Sequence, residues 1–173
     1  IRSARFQSGP LDSPVSAAVP IPMGEAPPLV VFSRRDLDGA LLRLAIDAGA
    51  VHVVERVLDV EAGTRGAMVC TAGGRHEASF VIGADGANSL VRRRLFRPFS
   101  RHQVSLAAGH YASRATSPEV VIQCLAEPPG YLWSFPRGDH LAIGVCTPAT
   151  NAAGTPLQAL ALEWSRRSGF LDG

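Results

Sequence analysis

Phe80-Val81-Ile82-Gly83-Ala84-Asp85-Gly86-Ala87-Asn88-Ser89-Leu90-Val91-Arg92 is the stretch on which the reading of this chain turns. An apolar run stops at Gly83, a glycine-bearing turn follows, and Leu90 to Leu95 has the composition of a short helix closed by Pro98. The end of the run, Phe80-Val81-Ile82, is continuously apolar, as expected of a strand entering a buried sheet. Gly83 and Gly86 permit close approach of another group. Asn88 and Ser89 can cap the helix, and Arg92 lies one turn in. Free amides at such a helix start attract anions, so a phosphate or pyrophosphate suits the turn. A plain Asp-Gly turn with a solvated Arg92-Arg93-Arg94 face is the alternative.

Upstream, Ser33 is a good N-cap for a helix beginning near Arg34, with Asp36 and Asp38 in its first turn. Leu37, Leu41, Leu44, Ala45 and Ala48 share a face, and Gly49 stands where a helix ends. Arg34 opposes the helix dipole, which favours a negative partner, although a surface arginine has the same look. Arg35 is as good a candidate for the buried one. Leu29 to Phe32 reads as a short strand, and Val51 to Val60 as one or two more. Gly63–Gly66 and Gly73-Gly74 read as turns flanking a strand at 67–71, whose partner runs from His76 to Ile82. Six of the 13 prolines (Pro10, Pro14, Pro20, Pro22, Pro27 and Pro28) crowd residues 10–28, so that stretch is edge strand or loop.

Downstream, 103–111, 119–126, 130–135 and 140–147 read as successive antiparallel strands, and Pro156 to Ser168 as a final helix. Within them, Tyr131, Trp133 and Phe135 alternate and therefore share one face of a strand. Periodicity favours a core-facing stripe; a pocket for a flat cofactor or an apolar substrate is the other reading.

Composition narrows the function. The chain has 173 residues, 46% hydrophobic and 18% charged, enough to bury a core. A net charge of +2 is too small to suggest a nucleic-acid partner. All 17 basic residues are arginine. Three cysteines at 70, 124 and 146 form no paired framework, so a reducing, cytoplasmic setting is the default. Five scattered histidines give no metal-binding spacing. No G-x-G-x-x-G, P-loop or G-x-S-x-G occurs.

Taken together, Arg34-x-x-Leu37-Asp38-x-x-Leu41, Gly49-Ala50 and the 82–92 stretch resemble the middle of FAD-dependent oxidoreductases of the p-hydroxybenzoate hydroxylase fold. Gly130-Tyr131-x-Trp133-x-Phe135-Pro136 resembles the substrate-cavity motif of the geranylgeranyl reductase branch. Gly144 falls where that branch carries a G-x-G, with Cys146 in place of the second glycine. Flavin-dependent halogenases have a related Trp-x-Trp-x-Ile-Pro stretch.

The resemblance implies a mixed α/β (α+β) fold: part of an FAD-binding Rossmann-like domain interleaved with an antiparallel β-sheet substrate domain. It implies residues 33–99 in the FAD domain, with 1–32 and 100–173 in the substrate domain. It places Arg34, Val57, Asp85, Gly86, Ser89 and Arg92 at the FAD. It places Tyr131, Trp133, Phe135, Pro136 and Gly144 at a substrate cavity. The reaction implied is reduction of double bonds in an apolar, isoprenoid-like small molecule by reduced flavin, with NAD(P)H or another reductant as electron source. A monooxygenase or halogenase, and a non-catalytic binding module, stay open beside it. The family's opening G-x-G-x-x-G and closing Gly-Asp motifs are not in this sequence. The expectation is therefore an internal fragment that binds FAD weakly or not at all and has no turnover alone. It should expose apolar surface suited to a homodimer, and touch a membrane peripherally if its substrate is a lipid.

Overall fold

The computed structural model describes residues 1–21, 29–113 and 115–171. The chain forms two compact units, Ile1–Ala40 with Ser105–Gly173, and Leu41–Val104. Pro22, Pro27 and Pro28 of the proline-rich lead-in lie outside the described residues.

The larger unit is a six-stranded mixed sheet. In chain order its strands are β1 (Ser3–Ser8) and β2 (Val15–Pro20), then, after the second unit, β6 (Ser105–Ser113), β7 (Glu119–Leu125), β8 (Gly130–Arg137) and β9 (His140–Pro148). They lie side by side as β2-β1-β7-β8-β9-β6. Only β1–β7 is parallel; the other pairings are antiparallel, as the alternating pattern downstream led one to expect. The edge strand β2 tolerates Pro20 at its end, where no ladder hydrogen bond is lost.

One face of this sheet is sealed by α3 (Leu157–Arg167). Leu132, Leu141, Ile143, Val145 and Val121 meet Leu157, Ala161 and Trp164 there, and Trp164 is fully buried. Its indole Nε1 donates to Gln123 Oε1 at 2.6 Å, so the one polar atom of the ring is satisfied in the core. The amide of Gln123 in turn donates to the carbonyl of Gly9 at 3.4 Å.

His110 of β6 also faces α3. Ser165 Oγ donates to the Ala161 carbonyl at 2.9 Å and lies 3.0 Å from His110 Nε2. With the hydroxyl proton used on that carbonyl, Nε2 is the donor, and the buried Nδ1 is left without a partner. Burial holds the imidazole below its ordinary pKa. A basic group with a depressed folded pKa binds fewer protons folded than unfolded, so stability falls as the pH falls. The loss begins as pH drops below about 6.5, the unfolded imidazole value, and levels off below the folded value. We expect the urea midpoint to fall between pH 7 and 5, and His110→Gln to remove that part of the dependence.

The smaller unit contains the second half of α1 (Arg34–Asp47), the antiparallel sheet β3 (Val57–Ala62), β4 (Ala67–Thr71) and β5 (Arg75–Ala78), and α2 (Leu90–Leu95). The expected start and stop of α1 are found. The Ser33 carbonyl accepts from the amides of Asp36 and Leu37. At the other end Ala50 N–H reaches the Ala45 carbonyl and Gly49 N–H the Ile46 carbonyl, with Gly49 at φ +99. That pair of bonds is a Schellman ending, which needs the left-handed residue glycine supplies.

Three expected strands are shorter or absent. Leu29 to Phe32 is not a strand, Val51 to Arg56 is irregular, and β5 stops at Ala78 before the apolar run 80–82. Phe80 and Ile82 are each 90% exposed. The run 80–82 pairs with no described strand, although β3 and β5 are the edges of their sheet. The first-turn-to-last leucines of α1 (Leu37, Leu41, Leu42, Leu44) are exposed as well, so the expected uncovered apolar surface is present. Among the described residues no helix is long and apolar enough to cross a membrane.

Candidate functional site

Strand β8 decides which side of the large sheet is chemically open. Its alternation sends Leu132, Ser134 and Pro136 into the face covered by α3, all buried. Tyr131, Trp133 and Phe135 therefore stand on the opposite face, which no helix covers among the described residues. The core-facing reading of the aromatic stripe is overturned. Pro136, expected with the aromatics at the cavity, is corrected too: strict period-two alternation puts it on the core side.

The three rings form a continuous row. Tyr131 and Trp133 have ring centroids 5.8 Å apart, and Trp133 and Phe135 6.2 Å. Register extends this surface sideways. Trp133 lies opposite Gly144 of β9 and Ile122 of β7, and Gly144 lies opposite Gly109 of β6. The absence of side chains at this point of β9 has a steric cause. A Cβ on Gly144 would stand 2.3 Å from Trp133 Cζ2 and 2.6 Å from its Cη2, so the indole lies across the glycine. Gly144 thus belongs with the aromatic row, as the motif implied, by making room for its largest ring. Tyr131 lies opposite both Cys124 and Cys146. Burial, then the neighbouring Cys146, push the Tyr131 phenol above its ordinary pKa, so it remains a neutral hydroxyl.

A depression of about 380 Å³ opens beside this row, lined by Trp133, Tyr111, Gly109 and Ala142 among others, with Arg137 at its edge. A second, of about 570 Å³, shares Tyr111 and Arg137 and adds Ser33, Arg34, Arg35, Ser113, Asp139 and His140. Tyr111 packs edge-on against His140 at 5.0 Å, and the Arg137 guanidinium lies 6.0 Å from the Tyr111 ring centre. Arg34 is brought to this site, its Nε 3.2 Å from Asp38. That carboxylate, one turn on, is the negative partner its position called for. Neither Arg34 nor Arg35 is buried. Arg137, Tyr111 and His140 were not legible as site residues, because the β8–β9 turn that carries Arg137 and His140 meets Tyr111 only through the pairing of β9 with β6.

The remaining expected cofactor residues belong to the smaller unit. Ser89 caps α2, its Oγ accepting from Arg92 N at 2.9 Å. Asp85 Oδ2 accepts from the amides of Leu90 at 2.6 Å and Val91 at 3.2 Å. The Ser89 hydroxyl first, and those amides, hold the Asp85 carboxyl below its ordinary pKa. This corrects the expectation of free amides for a phosphate: the start of α2 is already filled by the chain's own carboxylate and hydroxyl. Gly86 adopts φ +76, with open space where a Cβ would be. Gly83 allows Val91 to approach, since a Cβ there would fall 2.8 Å from Val91 Cβ. The Arg92 guanidinium sits 3.9 Å over the Phe99 ring. Val57 opens β3 opposite Thr71 and is partly exposed. What the 83–92 turn presents is thus a carboxylate and a bare glycine backbone. That set fits hydroxyl groups of a nucleotide cofactor better than its phosphates.

Among the described residues no cluster of histidine, cysteine and carboxylate side chains could hold a metal ion. No family model and no curated protein matches the chain. Solved structures do match its fold. Halogenase PltM in complex with phloroglucinol and FAD superimposes with a TM-score of 0.63 at 18% identity, over 98% of this chain and 39% of its own. The flavin-dependent brominase Bmp2 gives 0.62 at 17% identity, over 95% of this chain and 44% of its own. A tryptophan 6-halogenase (SttH) from Streptomyces toxytricini gives 0.59 at 22% identity, over 74% of this chain and 27% of its own. The chain spans less than half the length of each.

The mixed α/β fold is therefore one shared with a segment of halogenase PltM and of the flavin-dependent brominase Bmp2.

Proposed function

We propose that the chain is the substrate-sheet and part of the cofactor domain of a flavin-dependent halogenase or related monooxygenase. The observation that carries this reading is the position of Tyr131-x-Trp133-x-Phe135-Pro136. The motif resembles the halogenase Trp-x-Trp-x-Ile-Pro stretch, and its rings line the uncovered sheet face. The likeness of fold to PltM and Bmp2 supports it.

In this reading, bound FAD supplies the redox chemistry, its reduced form activating dioxygen toward a halide or toward the substrate directly. The protein's own part is binding, orientation and exclusion of water. The row Tyr131-Trp133-Phe135 offers a flat apolar floor on which an aromatic acceptor lies. Gly144 and Gly109 keep that floor free of projecting side chains. The neutral Tyr131 hydroxyl can donate to a substrate oxygen at its end. Arg34 is assigned to FAD, its guanidinium to an anionic or hydroxyl oxygen of the cofactor's chain. Residues 33–99 are assigned to the cofactor domain on the same reading.

A second reading, reduction of an isoprenoid-like double bond, is favoured by one feature: tyrosine and phenylalanine where the halogenase motif has tryptophan and isoleucine. The protein translated from the complete reading frame separates flavin enzyme from binding module. We expect it to leave gel filtration with the visible absorbance of bound flavin, and Arg34→Ala to lower the FAD retained. A colourless protein that takes up no added FAD would contradict both enzymatic readings.

A further inference from the structure

The open sheet face carries an unbalanced positive end. Arg34 is engaged by Asp38, and Asp139 is engaged by His140, its Oδ1 2.6 Å from Nδ1. Arg35 and Arg137 have no carboxylate within ion-pair distance among the described residues. Arg137 Nε is shielded from water and makes no hydrogen bond. A buried donor left unmade is costly, so a site that supplies its acceptor only on ligand binding gains that interaction in full. The two depressions share Tyr111 and Arg137, so Arg137 borders both the apolar floor at Trp133 and the arginine pocket. Their volumes, about 380 and 570 Å³, suit a ligand of one to three fused rings with a short charged substituent.

We propose that this face takes a planar aromatic acid, its ring against Trp133 and Tyr111 and its carboxylate at Arg137 and Arg35. The proposal rests on the reading of the open face as the substrate side, and it names the substrate class that reading leaves open. An arginine fork facing a planar carboxylate makes two parallel charge-assisted bonds, which a neutral amide cannot replace.

The test is calorimetric titration of the 173-residue chain with naphthoate and with its neutral analogue naphthamide. We expect the acid to bind roughly tenfold more tightly at low ionic strength, the preference shrinking as salt is added. Arg137→Gln should bring the two affinities together. Arg35→Gln, on an exposed helix position where folding is not at stake, should lower the preference several-fold. Arg43→Gln, elsewhere on the same helix, should leave it unchanged. Equal binding of acid and amide would overturn the proposal, as would binding of neither, or a preference that survives Arg137→Gln. Flavin mononucleotide and riboflavin separate the two sources of an anion. If the mononucleotide displaces naphthoate through Arg137 and riboflavin does not, the pocket belongs to the cofactor's phosphate and the proposal fails. Failure of the flavin reading has a different signature: the complete protein retains no FAD while the acid still outbinds the amide.

Discussion

Trp164→Ala is expected to lower the unfolding free energy by about 3–5 kcal/mol, the range for truncating a buried large aromatic. Two losses combine. The indole, fully buried between α3 and the strands β7–β9, leaves a cavity that a sheet cannot close by sliding. Its departure also strands Gln123 Oε1, an acceptor in a fully buried side chain. The edge-on contact with Phe170 at 5.2 Å goes with it. Against a total stability of about 5–15 kcal/mol for a domain, this is a large fraction. Trp164→Phe separates the terms, keeping most of the volume while removing the N–H, and should cost about 1–3 kcal/mol. Urea unfolding followed by circular dichroism measures both. Equal midpoints for wild type and Trp164→Ala would mean that α3 does not seal this face.

Gly144→Val acts on the other face. The added side chain would occupy the space of the Trp133 ring, with its Cβ also 2.8 Å from the Ala108 carbonyl. The backbone oxygen cannot retreat, so the indole must leave its place in the row. Overpacking of this kind costs about 1–3 kcal/mol. It should also redden the emission of Trp133 as the ring moves into water, and abolish binding of aromatic ligands to the row. The double variant Gly144→Val/Trp133→Ala should recover part of the lost stability, because the clash needs both partners. An unshifted emission spectrum with unchanged stability would show that Trp133 lies elsewhere.

These two substitutions probe opposite faces of one strand layer, and the difference between the faces is what the sequence withheld. Period-two alternation fixed Tyr131, Trp133 and Phe135 on a common side. It could not say which side, because Leu132, Ser134 and Pro136 make an equally plausible inner face. The choice is settled by α3, whose buried stripe of Leu157, Ala161 and Trp164 selects the aliphatic side. Legibility was highest where one local signal suffices. Ser33 and Gly49 bound α1, and Ser89 and Pro98 bound α2, because caps act within a turn of the residues that make them.

It was lowest where the outcome depends on a partner far along the chain. Phe80 to Ile82 has the composition of a buried strand, yet it pairs with no described strand, and composition does not encode which strand will lie alongside. The start of α2 looked free for an anion because nothing in the spacing shows Asp85 folding back onto the Leu90 and Val91 amides. No sequence motif marks Arg137. Its pocket exists only because β6, β8, β9 and the start of α1 meet there.

The most direct test of the account is product analysis with the protein from the complete reading frame, supplied with FAD, a flavin reductant and an aromatic acid. The account predicts product only in the presence of dioxygen, carrying halogen when halide is added or oxygen when it is not, and lost in Trp133→Ala. A product that forms equally well without dioxygen, heavier than its substrate by a hydrogen pair, would contradict it.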